Sequence, residues 1–282
     1  MSADINVRNW IVLPKLPNRQ DWIARLNEAA AAAGYVLHDW DENQAFDDAA
    51  PVLLLTASAD EARSRQPDAS RIAAVLDALD IIIPDEMEQA ERHRVVHAAS
   101  QGFAQATTLP PERVFGPEDI AKGSIRLFPD LEVTRPRAQP PVQGPMATAL
   151  QFYTQGRAVW PGAVLTWHRP PTHAGGFASL DLTGRPRVIV YGPYFDMPQG
   201  RWKAVFTLSV DDYASRYLFR ADWGGMEDFA SQEFRLQRPG VFEIEMVYDW
   251  TTPGICEFRL LVMEGVFHGQ ISLSDLIVSR VD

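Results

Sequence analysis

Hydrophobic positions follow two different periods along the chain, and the change falls between residues 134 and 145. Before it, short apolar runs alternate with helical stretches. Asn9-Trp10-Ile11-Val12-Leu13 is an apolar run stopped by Pro14, the pattern of a buried strand. Asn18 stands as an N-cap before a helix predicted over Gln20–Ala33, with Trp22, Ile23, Leu26, Ala30 and Ala33 on one stripe and Gly34 as its stop. Tyr35–Asp39 reads as a second strand, and Pro51–Thr56 as a strand apolar on both faces. A helix over about Ser70–Leu79, a strand at Ile81–Ile83, a long helix over Asp85–Ala106 and a short strand at Val114-Phe115 follow. Alternating strands and helices predict a small α/β domain over 1–133, with a parallel sheet of the Rossmann or flavodoxin-like kind.

Residues 134–145 read TRPRAQPPVQGP, with four prolines and a glycine, and are expected to be a linker. Beyond them the period becomes two. Trp202, Ala204, Phe206, Leu208 and Val210 share one strand face, and Lys203, Val205, Thr207 and Ser209 the other. Similar strands are read at Val164–His168, Phe177–Leu182, Arg187–Tyr191, Arg216–Asp222, Ser231–Leu236, Val241–Tyr248, Ile255–Met263 and His268–Arg280. Turn signals separate them, among them Gly175-Gly176, Asp211-Asp212, Gly224-Gly225 and Pro239-Gly240. An antiparallel β-sandwich, a jelly roll, is expected over 146–282.

Charge narrows the partners. Residues 1–130 hold 12 basic against 21 acidic side chains, a net of −9, and the rest is near balance at −2. Neither half has the basic surplus that a phosphate backbone demands, so no nucleic-acid partner is expected. No apolar run approaches the ~20 residues of a membrane span. The first residues lack a basic stretch leading into an apolar one, so no secretory signal is expected and the protein is read as cytoplasmic. Cys256 is the single cysteine and lies inside a strand.

The run Tyr191-Gly192-Pro193-Tyr194-Phe195-Asp196-Met197-Pro198-Gln199-Gly200-Arg201-Trp202, read as a hairpin leading into a long alternating strand, resembles the galactose-binding-like jelly-roll modules of bacterial carbohydrate proteins. Cys256–Leu260, Gly269 and the strand Ile271–Val281 are similar to the end of such modules, and the resemblance covers about Arg187–Asp282. It implies a carbohydrate-binding module of the kind found beside surface-polysaccharide enzymes, with a carbohydrate ligand and a polysaccharide-biosynthesis protein as partner. Residues 1–133 carry no such resemblance.

Sugars offer apolar C–H faces bordered by hydroxyls, so their sites join flat rings to paired polar groups. Tyr191, Tyr194, Trp223 and Trp250 are the rings expected at strand ends or loops, with Arg220, Asp222 and Asp249 near two of them; for each ring, a place in the core is the competing reading. Glu257 and Arg259 alternate on one strand, and either grip hydroxyls or form an ion pair. Asp211-Asp212 reads as a turn or as part of a structural Ca²⁺ site. His93 and His97, four apart on a helix, read as a solvated face; HRVVH lacks the glutamate of a zinc-protease helix. In the first domain Lys15, after the first strand, and Asp39 and Asp41, after the second, are the candidates for a nucleotide or other anion, although no Gly-rich phosphate loop is present.

No spacing names a reaction or a catalytic residue. Three readings stand: a non-catalytic carbohydrate-recognition or assembly protein; a glycosyltransferase-like enzyme using a nucleotide-sugar on the α/β domain; and a structural interaction protein.

Overall fold

The structure, a computed structural model, describes residues 8–40, 51–79, 81, 87–136, 144–174 and 176–281. Two compact units are present, one of Met1–Ile82 with Ala98–Ala147 and one of Ile83–His97 with Thr148–Asp282. Most of the residues expected as linker, 137–143, lie outside the described set, as do Ile82, Ile83 and Asp85 of the predicted elements, and Gly175 of a predicted turn.

In the first unit β1 (Asn9–Val12) leads to α1 (Arg19–Ala32), β2 (Val36–Asp39), β3 (Val52–Thr56), α2 (Ala59–Arg65) and β4 (Ile72–Val75). Helix α3 (Gln89–Ala106) follows; its residues through His97 belong to the second unit. Strand β5 (Val114–Phe115), α4 (Pro117–Ile120) and a hairpin of β6 (Ser124–Phe128) and β7 (Leu131–Thr134) complete it. The five-stranded sheet is parallel in the order β2-β3-β1-β4-β5. That order matches neither doubly wound arrangement, 3-2-1-4-5 or 2-1-3-4-5, because β3 enters between β1 and β2.

Two local expectations change. Ile72–Val75 is a buried strand, not part of a helix over Ser70–Leu79; a short apolar run has the same text in either state. Asn18 makes no side-chain cap on α1, and its amide donates to the Asp77 carbonyl at 3.2 Å instead.

In the second unit, α5 (Pro145–Ala149) straddles the boundary and α6 (Phe152–Gln155) precedes twelve strands. These are β8 (Arg157–Trp160), β9 (Thr166–Trp167), β10 (Thr172–Ala174), β11 (Phe177–Asp181), β12 (Arg187–Met197), β13 (Gly200–Val210), β14 (Phe219–Gly225), β15 (Phe229–Phe234), β16 (Gly240–Trp250), β17 (Gly254–Val262), β18 (Gln270–Ser274) and β19 (Leu276–Arg280). They form two antiparallel sheets. One runs β10-β11-β18-β13-β19-β8 with β16 on the other edge of β13, and the other runs β15-β14-β17-β12-β9.

Inward residues hold the sheets together. Trp202, Phe206 and Leu208 on β13 and Trp223, Phe258 and Leu260 on the facing sheet are all buried. The Phe206 and Phe258 rings lie 5.1 Å apart, and the Trp223 indole donates to the Trp202 carbonyl at 3.3 Å. Each such aromatic contributes ~1.5–3 kcal/mol of burial. Strands β12 and β13, expected to pair as a hairpin, instead lie in opposite sheets: β12 pairs with β17 and β9, β13 with β16, β18 and β19. The turn at Pro198-Gln199 is therefore a crossing between layers. Among the described residues no helix is long and apolar enough to cross a membrane, which says nothing about a β-barrel.

Candidate functional site

Strand alternation sorts the expected site residues. On β14, Phe219, Ala221 and Trp223 point into the sandwich, so Arg220 and Asp222 point out; on β17, Cys256, Phe258 and Leu260 point in, so Glu257 and Arg259 point out. Cross-strand register then lines up Thr166, Tyr191, Arg259, Asp222 and Ser231 as one row over β9, β12, β17, β14 and β15. Cross-strand partners of this kind lie ~4.5–5.5 Å apart at Cβ, so the row is one continuous surface.

Its floor is two buried carboxylates, each fixed by a guanidinium and a hydroxyl. Asp222 Oδ1 accepts from Arg220 Nε at 2.7 Å and from Ser231 at 2.7 Å, and Arg220 Nη2 also reaches Ser231 Oγ at 3.1 Å. Glu257 Oε1 accepts from the Tyr194 hydroxyl at 2.8 Å, and Arg259 donates to Oε2. The two carboxylate side chains are 2% and 4% exposed, and the two guanidinium side chains 36% and 31%, so the arginines form the accessible rim. Burying a carboxylate alone is costly, and these partners are what make it tolerable. The Glu257 hydrogen bond pushes the Arg259 guanidinium up from its ordinary value. Arg259 also lies over the Phe229 ring at 4.4 Å, a cation–π contact.

Tyr194 is held unusually. Its backbone is left-handed, with φ +68°, a region costing an L-residue roughly 1–2 kcal/mol. Burial first, and then the Glu257 hydrogen bond, push its phenol well above the ordinary tyrosine range, so it remains a donor. Its ring stands edge-on to His93 at 4.7 Å and to Tyr191 at 6.3 Å.

Helix α3 thus contributes to this face. His93 and His97 were expected on a solvated surface, but both turn to β12: His97 Nδ1 lies 3.3 Å from Asp196 Oδ2. Burial and then the Arg92 charge lower the His93 pKa, with Glu257 opposing. No cluster of three His, Cys, Asp or Glu suited to a metal occurs among the described residues.

Trp223 and Trp250 are buried and do not lie on this outer face. Trp223 is wholly buried between the sheets, and Trp250 is 4% exposed with its ring 5.2 Å from that of Trp223. Gly224-Gly225 had placed Trp223 beside a turn, but both glycines continue β14. A Cβ on Gly224 would stand 2.5 Å from the Asp228 carbonyl, so the glycine serves close strand approach. In place of calcium ligation, Asp211 spends both oxygens on the Tyr213, Ala214 and Gln270 N–H groups.

One aromatic had no expected role. Trp167 is half-buried on β9 and, with Gly162, Ala163 and His173, walls two cavities of about 380 and 420 Å³. Pro161-Gly162 and Pro170-Pro171 flank this segment, and prolines on both sides mark an edge strand whose ring is not sealed in the core.

In the first unit Lys15 is exposed, and Asp39 accepts from Arg19 Nη2 at 3.1 Å, which ties it to α1. Asp41 lies outside the described residues. Past the carboxyl ends of the parallel strands, where open α/β sheets hold ligands, several polar groups among the described residues bond to one another. Thr56 donates to Glu61, and the buried Asp77 accepts from the Trp22 indole at 2.8 Å and the Leu79 N–H at 3.1 Å.

No protein-family model matches the sequence, and no curated protein matches it. Several solved structures are similar over part of the chain. TmCBM61 in complex with β-1,4-galactotriose is 12% identical, over 45% of this chain and 83% of that one, with a TM-score of 0.32. A family 16 carbohydrate-binding module is 9% identical over 44% and 86%, with 0.29, and a xylan-binding module 11% over 42% and 86%, with 0.31. Likeness of this depth identifies neither a family nor a ligand.

Proposed function

We propose that the sandwich unit recognises a carbohydrate, with the outer face of β12, β17 and β14 as its binding surface. The observation that supports this most directly is the row Tyr191–Arg259–Asp222–Ser231, with Tyr194, Glu257, Arg220 and Phe229 beside it. Guanidiniums fixed on buried carboxylates keep N–H groups at the rim, and half-buried rings lie next to them. Hydroxyl pairs and the apolar face of a pyranose call for this combination. Each carboxylate is already an acceptor for two donors, so the face is built for holding rather than for proton transfer. The finer reading, service in bacterial surface-polysaccharide metabolism, draws only on the sequence resemblance over Arg187–Asp282, carried by Tyr191–Trp202, Cys256–Leu260, Gly269 and Ile271–Val281.

Calorimetric titration of the full chain with neutral β-1,4-linked galacto- and xylo-oligosaccharides tests the reading. We expect binding by at least one series, weakened about tenfold or more by Tyr191→Ala and by Arg259→Lys, which keeps the charge but loses the planar fork. Binding indifferent to both substitutions, or none at millimolar ligand, contradicts it.

A further inference from the structure

Three loops meet at one end of the sandwich: 182–186, 211–218 and 263–269. Gly184 and Val266 exchange both backbone hydrogen bonds at 2.8 Å, and Leu182 N–H donates to the Gly269 carbonyl at 2.9 Å, joining the first loop to the third. The Asp211 carboxylate fixes the second loop to Gln270.

Two rings at this end are exposed to solvent. Phe267, which follows the residue paired with Gly184, is 82% exposed, and Tyr213, 5.9 Å from the His268 ring, is 56% exposed. Beside them two arginines converge. A Cβ on Gly184 would lie 3.1 Å from Arg187 Nη1 and 3.4 Å from Arg169 Nη2, so both guanidiniums flank one Cα. Backbone carbonyls hold them there: Arg169 Nη1 donates to Thr183 O at 3.0 Å, Arg187 Nη1 to Arg185 O at 3.1 Å and Arg187 Nη2 to Asp181 O at 3.3 Å. Among the described residues neither arginine forms an ion pair with a carboxylate. The nearby Asp181 carboxylate instead accepts from Thr183 N–H at 2.7 Å.

Like charges held side by side raise the energy of the empty site and lower it when an anion arrives. Burial and then the Arg169 charge already push the Arg187 guanidinium down, against the pull of Asp181. Each guanidinium has five N–H donors and uses only some of them on carbonyls, so one oxyanion can accept from both. On the sheet face, by contrast, Asp222 and Glu257 already neutralise the arginines.

We propose that this loop end binds the oxyanion of an acidic saccharide, a carboxylate or sulfate bridging Arg169 and Arg187 while Phe267 covers an apolar sugar face. The proposal rests on the carbohydrate reading above and adds a requirement for charge.

The test is titration of the full chain with two matched pairs, oligogalacturonate against its methyl ester and a sulfated galactan fragment against its unsulfated parent, with anionic phospholipid vesicles as a third arm. In at least one pair the charged member is expected to bind about tenfold tighter, with the margin shrinking as salt rises. Arg169→Gln, an exposed position with a single carbonyl contact, and Arg169→Gln with Arg187→Gln are expected to reduce that margin stepwise at unchanged melting temperature for the single variant. Equal affinity within both pairs, or a margin that survives in both variants, overturns the loop-end site and leaves the sheet-face reading intact. Capture by vesicles without binding of any saccharide overturns both, and loss of all binding in Tyr191→Ala with no effect of the arginine variants overturns the loop-end site alone.

Discussion

Tyr194 concentrates the chemistry of the proposed face in one side chain: a left-handed backbone, a buried phenol and a hydrogen bond to a carboxylate. Tyr194→Phe removes only that bond. Because the ring is about half buried, the expected loss is ~1 kcal/mol in urea unfolding, with weaker saccharide binding; no change in either measurement contradicts the assignment. His93 gives a pH signature. Its proton is harder to bind in the native chain than in the unfolded one, whose value is the ordinary 6.5. The unfolded chain therefore holds more protons as pH falls through 6.5, and stability is lost from there down to the lower native value and then levels off. Urea midpoints between pH 7 and 5 should fall less steeply in His93→Gln than in the parent; equal slopes contradict the burial argument. Cys256 is wholly buried and its thiol is pushed up by burial, so a thiol reagent should label it only after unfolding.

Elements were legible where period and punctuation agreed. The alternation of β13 from Trp202 to Val210 and the buried run of β3 are observed unchanged, whereas of the stripe on α1 Trp22, Leu26 and Ala30 are buried, Ile23 is half-buried and Ala33 caps the helix. Ile72–Val75 was not legible, because four apolar residues fit a central strand and a helix face alike. Helix α2 went unread although Ser58 and Glu61 spell a capping signal, and the Ser58 hydroxyl does accept from the Glu61 N–H. Glu257 and Arg259 could be assigned to one face from spacing alone. Their meeting with Asp222, Tyr191 and His93 depends on register between distant strands and on α3, which no local pattern encodes. The same logic separates two phenylalanines. Phe258→Ala empties the inter-sheet core and should cost ~3–5 kcal/mol, whereas Phe267→Ala at the loop tip should fall within about 0.5 kcal/mol of the parent. Equal costs in denaturant unfolding contradict the placement of either.

In the first unit, Thr56 with Glu61 and Trp22 with Asp77 pair past the carboxyl ends of the parallel strands, and in the second the carboxylate–guanidinium pairs of β14 and β17 share one outer face. An acidic chain of net −11 that keeps arginines both at a face where carboxylates bond them directly and at a loop end where backbone carbonyls hold them uses positive charge sparingly and locally. On the reading proposed above, a neutral saccharide binds the face over β12, β17 and β14. The most direct measurement is the NMR signal of the arginine Nε–H groups, assigned by substitution, during titration of the full chain with neutral oligosaccharide. Shifts confined to Arg220 and Arg259 are expected, with the Tyr191 and Tyr194 rings moving in step. Shifts confined to arginines of residues 1–82, or an unmoved Arg259 at saturation, would contradict it.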